Sequence, residues 1–187
     1  MDQKFKSIIT LAFISSTILI VILCYTISKR DEVGVSGSIN LPIVNSVVDI
    51  ENFIKEKGYA IISTKGKVDT YKLEKKMLIG FPYEVIWGLQ EVEPENYIGK
   101  NIDVYKFIVQ NHVLDSKIHN STHQTNIFIM VCDFKLIGGY SRPNHEGKTI
   151  AELPIGPETY SIDGKPIEEV KNMSFQNWRE KWEKRYK

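Results

Sequence analysis

Four histidines are the residues of this chain best suited to move a proton or hold a metal. His119 and His123 stand four apart in His-Asn-Ser-Thr-His. On a helix that spacing sets both imidazoles on one face, as a zinc pair requires. Asn120, Ser121 and Thr122 favour a loop instead, and no Glu follows His119, so a solvated loop is expected. His112 closes an apolar run near Asp115, and His145 lies in a Gly/Pro-rich stretch. Either one beside a carboxylate would serve as a general base in hydrolysis. No Gly-x-Ser-x-Gly elbow supplies a nucleophile for a triad. No catalytic, cofactor-binding or metal-ligating residue is assigned on this basis.

Three further features carry less chemistry than their types suggest. Cys132 ends the apolar run Ile127 to Val131, where a thiol is expected to be buried and inert. Gly138-Gly139 lacks the spacing of a dinucleotide loop and is expected to mark a bulge or a close approach within a sheet. Phe175, Trp178, Trp182 and Tyr186 recur at steps of three and four. They form one helical face, expected to dock on a sheet; insertion at a membrane surface among Lys181, Lys184, Arg185 and Lys187 is the alternative.

The elements that must position these residues follow from periodicity. Ser46 with Asp49 three residues on reads as a helix start, and Gly58 as its stop. Val47, Ile50, Phe53 and Ile54 give that helix its apolar stripe. Tyr59 to Thr64 and Lys67 to Tyr71 read as a hairpin turning at Lys65-Gly66. Leu73 to Leu78 suits a short helix, Tyr83 to Gln90 is ambiguous between helix and strand, and Glu93 to Asn96 is a turn. Asn101 to Leu114 alternates with large residues on both faces, as a central strand does. Asn126 to Val131 and Leu136 to Tyr140 form a hairpin around Asp133. Thr159 to Ser161 is a short strand ended by Asp163-Gly164, Ile167 to Lys171 is a helical turn, and Ser174 caps the last helix. The order is helix, hairpin, strand, hairpin, helix. It predicts an α+β domain with a mostly antiparallel sheet of about five strands, flanked by N- and C-terminal helices.

Ahead of this domain, Ile8 to Ile27 runs twenty residues without a charge. At ~1.5 Å per residue it would cover about 30 Å as a helix, the depth of a bilayer's hydrocarbon core. Lys4, Lys6, Lys29 and Arg30 flank it. The run is longer than a cleaved signal's apolar core and no small-x-small site follows it. Leu23 is too bulky for a lipoprotein signal ending at Cys24. The expected organisation is a tail over 1–7, a transmembrane signal-anchor over 8–28, a Gly/Ser/Pro-bearing linker over 29–45 and an α+β domain over 46–187. The Lys/Arg count ties across the span, and the short N-terminal tail favours export of the domain.

Charge excludes one class of partner. The flanks take four of the 24 basic residues and Asp2 one of the 23 acidic ones, leaving a domain close to −2 with signs interspersed. A nucleic-acid binder would show a basic stripe, and none is visible. The expected partners are the lipid bilayer, through residues 8–28, and an envelope protein.

Several phrases carry a resemblance: Trp87-Gly88-Leu89-Gln90, Tyr97-Ile98-Gly99-Lys100, Phe107 to His112, Gly138-Gly139-Tyr140-Ser141 and Tyr160 to Lys165. Together they resemble a family of uncharacterised membrane-anchored or lipoprotein-like proteins of low-GC Gram-positive bacteria, from about Ser46 to the C-terminus. The resemblance implies an extracytoplasmic domain and brings no catalytic residues. The expectation is a single-pass protein whose domain is a binding or accessory module of the cell envelope. The alternative is an envelope hydrolase using His112 or His145 with a carboxylate.

Overall fold

The α+β expectation holds for the domain. The computed structural model describes residues 40–117, 123–147 and 158–187. The apolar run over 8–28, most of the linker and His119 lie outside the described residues. Among the described residues no helix is long and apolar enough to cross a membrane.

Five strands form one antiparallel meander in the order β1-β2-β3-β4-β5: Ala60–Lys72, Asn101–Gln110, Thr125–Cys132, Lys135–Pro143 and Tyr160–Ser161. Helix α1 (Val47–Glu56) packs on one face, burying Ile50 and Ile54 against Phe107, Val109, Ile127 and Ile129. The other face carries α2 (Tyr83–Gly88), α4 (Ile167–Lys171) and α5 (Phe175–Tyr186) over Ile102, Met130 and Ile137. A short α3 (Leu114–Lys117) follows β2. Packing is under way before Ser46: Val44 N–H donates to Phe134 O at 2.8 Å, and Leu136 N–H to Pro42 O at 2.9 Å.

The expected caps form. Asp49 accepts the backbone N–H groups of Asn45 and Ser46, each at 2.9 Å. These donors hold its carboxyl below the usual range, as anion binding at a helix start should. Ser174 Oγ accepts from Asn177 N–H and starts α5. The aromatic face of α5 lies in the core, with Trp178, Trp182 and Tyr186 all buried. Arg179, on its outer side, reaches Glu84 of α2 at 3.2 Å.

The first hairpin is a correction. Residues 60–72 are one long strand paired throughout with β2, and Gly66 sits opposite Lys106. The register slips between Ile61 and Ser63, Thr64 and Gly66, and Lys67 and Asp69. A glycine at positive φ serves a bulge as well as a turn, so the sequence does not separate the two. The bulges and Lys65, Lys67 and Lys72 also blunt an otherwise open sheet edge. Tyr83 to Gly88 resolves as helix, with Val85, Ile86, Trp87 and Gly88 all buried. The Gly138-Gly139 expectation holds in both senses. The register shifts opposite Met130/Val131, and Gly139 N–H donates to Gln90 Oε1 at 2.8 Å.

The β3–β4 turn is built against local preference. Asp133 and Phe134 both have positive φ, 49° and 59°, as a type I′ turn demands. Glycine suits the second position; Phe134 instead carries a side chain there and is 74% exposed. A left-handed residue bearing a Cβ costs roughly 1–2 kcal/mol, partly offset by glycine's greater unfolded freedom. Phe134→Gly is therefore expected to raise stability by about 0.5–1 kcal/mol, read as a higher urea midpoint at unchanged slope. A lower midpoint would mean that the ring is packed.

Candidate functional site

The helical layer over the second face stops short of one end of the sheet. Beyond Met130 and Ile137 the same face continues as two cross-strand rows. One is Lys106, Phe128 and Tyr140; the next is Ile108, Asn126 and Arg142. Of these, Lys106, Phe128, Asn126 and Arg142 border a cleft of about 670 Å³, with Tyr140 and Ile108 buried beneath it. Phe81 and Pro82, which lead into α2, line it together with Lys65 from β1 and residues of the 143–146 and 158–159 segments.

The rows alternate rings and cations. Phe128 and Tyr140 stack at 4.7 Å between centroids and 10° between planes. Lys106 Nζ lies 5.8 Å from the Phe128 centroid. The Arg142 guanidinium carbon lies 5.9 Å from the same centroid and 5.2 Å from that of Tyr140. Arg142 is oriented by its Nε–H, which donates to Thr159 Oγ1 at 3.1 Å. Among the described residues no carboxylate reaches Lys65, Lys106 or Arg142 within ion-pair distance.

The 143–146 and 158–159 segments are tied by amides and one charged pair. Asn126 Nδ2 donates to Pro143 O and Asn144 Oδ1, both at 3.4 Å. Asn144 N–H donates to Gln124 O at 2.9 Å. His145 Nε2 meets Glu158 Oε2 at 2.5 Å, with both side chains one-fifth exposed. Asn126 Oδ1 and His145 Nδ1 are buried without a hydrogen-bond partner among the described residues.

Burial pushes the Tyr140 phenol up to about 12, against the pull of Arg142. Burial and Asp163 likewise raise Tyr59 to about 12. The folded chain thus keeps protons that the unfolded chain releases near pH 10. The stability linked to them is complete below pH 10 and is lost as pH rises towards 12. Tyr140 alone contributes roughly 2–3 kcal/mol to that loss. The urea midpoint is expected to fall between pH 10 and 11.5, and less steeply in Tyr140→Phe. An unchanged slope in that variant would remove Tyr140 from the account.

The histidines separate cleanly. His145 lines the cleft beside a carboxylate. His112 does not line it and is 3% exposed. Its Nδ1 accepts from Leu114 N–H at 3.1 Å, which leaves Nε2 to donate to Ile162 O at 2.8 Å. Asp115 bonds the backbone N–H of His112, not its ring, and also accepts from Thr125. His112 is therefore a pin between β2, α3 and the segment after β5. His123 is exposed, with Nδ1 at 3.1 Å from Asp115 O. Among the described residues no group of three or more His, Cys, Asp or Glu is placed to hold a metal. Cys132 is 3% exposed, and burial raises its thiol.

Of the cleft residues only His145 stands out in the sequence; Lys106, Phe128, Arg142 and Glu158 do not. One signal was present. Lys106 interrupts the apolar run Ile102, Val104, Ile108 on one face of β2.

The fold and cleft define a class: an α+β domain on a five-strand antiparallel meander with a side-chain-lined cleft on one sheet face. No protein-family model matches the sequence, and neither a curated protein nor a solved structure shows significant similarity to it.

Proposed function

We propose that the chain is a single-pass protein anchored in the cell membrane through residues 8–28, whose extracytoplasmic domain is a binding or accessory module of the cell envelope. The uncharged run Ile8 to Ile27 supports the anchor, and the cleft supports binding. Among the described residues lining the cleft there is no serine or cysteine, and the one hydroxyl, Thr159, is engaged by Arg142. Convergent polar groups around a ring-lined concavity without an activated nucleophile suit recognition more than covalent chemistry. Protease shaving of intact cells carrying a C-terminal tag tests the orientation. Loss of the tag is expected; a fully protected tag would place the domain inside, as a membrane partner of a cytoplasmic complex.

One observation favours a second reading. The 2.5 Å His145–Glu158 pair holds the imidazole by Nε2 and leaves the buried Nδ1, unpartnered among the described residues, as the nitrogen that would take a proton from water. An envelope hydrolase would then depend on His145, while His112 has both ring nitrogens committed to backbone. The full-length protein, reconstituted and incubated with isolated cell-wall glycan, would release reducing ends. His145→Ala and Glu158→Gln would both abolish the release. No release from the unaltered protein would end this reading.

A further inference from the structure

The cleft carries three cations on its strands, Lys65, Lys106 and Arg142, and two carboxylates on its flanking segments, Glu146 and Glu158, the latter paired to His145. The strand cations name a ligand class. Lys106 occupies an interior strand between Val104 and Ile108, each 4% exposed, where a branched apolar residue would extend the core. Arg142 continues the next row, and Lys65 adds a third cation from the edge strand. A position that breaks the local packing rule, here with only the Phe128 ring and, among the described residues, no carboxylate beside it, is a candidate functional one. Like charges gathered in one concavity repel, and a bound anion relieves that repulsion. With its Nε fixed by Thr159, Arg142 keeps its terminal N–H groups for a planar anionic fork.

The surroundings narrow the class. At Lys106, Phe128 and Tyr140 the strands pair on both sides, so the backbone there is committed to the sheet. Extended peptides are usually read through main-chain bonds at a free strand edge, which these interior rows do not offer; the outer edge of β1 reaches the cleft at Lys65 alone. Recognition falls to side chains: guanidinium, ammonium and amide groups beside the Phe128 ring and Phe81, 64% exposed. We propose that the cleft binds an acidic saccharide, its anionic group held by Lys65, Lys106 and Arg142 and its ring face lying against phenylalanine. This rests on the reading of the domain as a binding module.

The test uses the full-length protein in nanodiscs, titrated calorimetrically with tetragalacturonate, its methyl ester, octaglutamate and AMP. Tetragalacturonate is expected to bind, and its uncharged ester is not. Arg142→Gln and Lys106→Gln should each weaken binding at least tenfold at unchanged melting temperature, and 200 mM salt should weaken it relative to 20 mM. Equal binding of octaglutamate or AMP would overturn the saccharide class, and silence of all four would overturn the anion site. A photo-crosslinker at Phe81 in native membranes separates the two levels. A peptide or protein caught there refutes the saccharide and leaves the binding module standing. No capture and no titration signal end both.

Discussion

Replacing Trp182 with alanine is expected to lower the unfolding free energy by about 3–5 kcal/mol, the range for losing a buried aromatic side chain. Trp182 is 8% exposed and lies between Trp178, at 5.5 Å, and Tyr186, at 4.6 Å between centroids. Its Nε1–H also donates to Leu78 O at 2.5 Å, joining α5 to the 3-10 turn Lys75–Ile79 that precedes α2. Truncation removes the burial and orphans that carbonyl. Domains are commonly stable by only ~5–15 kcal/mol, so the variant would stand near its threshold. Trp182→Phe keeps most of the area and loses only the hydrogen bond, for an expected cost of about 1–2 kcal/mol. Urea unfolding of both variants separates the contributions. A cost below about 1 kcal/mol for alanine would mean that α5 is not docked on the sheet, reviving the membrane-surface reading of its aromatic face.

Gly138→Ala should be as damaging, although it adds one methyl group. Gly138 has φ +146°, a region essentially closed to residues with a Cβ, at a cost of order 1–3 kcal/mol. The added carbon would also stand 2.0 Å from Gln90 Oε1, well inside contact distance. Gln90 is buried and cannot swing into solvent without giving up its bond to Gly139 N–H. Leaving that donor unmatched adds ~1–3 kcal/mol, for a total near 3–5 kcal/mol. A double-mutant cycle with Gln90→Ala divides the total. The shorter side chain makes room, so the pair should recover about 1–2 kcal/mol relative to additivity while the backbone cost persists. Strict additivity would show that Gln90 is not what the methyl group meets.

Both predictions fall on contacts between elements far apart in the chain, and that is where sequence reading ran out. Helix α1 was legible because its cap, stripe and stop lie within thirteen residues, Ser46 to Gly58. Strand β2, the β3–β4 hairpin and the aromatic face of α5 were legible for the same reason. Lys65-Gly66 was not, because a positive-φ glycine looks the same in a turn and in a bulge. Whether β1 folds back on itself is settled by β2, thirty residues later, which offers it a partner along its whole length. Tyr83 to Gly88 gave no period because nearly every side chain in it is buried.

The sequence alone determined the α+β class, the order of most elements, the near-neutral charge of the domain and the twenty-residue uncharged run. These are properties of local spacing and composition. Only the tertiary structure decided that Lys106, Phe128 and Arg142 share a cleft with His145 and Glu158, and that His112 is a pin and not a base. Those facts depend on strand register, and register shifted by one residue sends each side chain to the opposite face. It is fixed by packing on both faces of the sheet at once, which no single stretch of the chain contains.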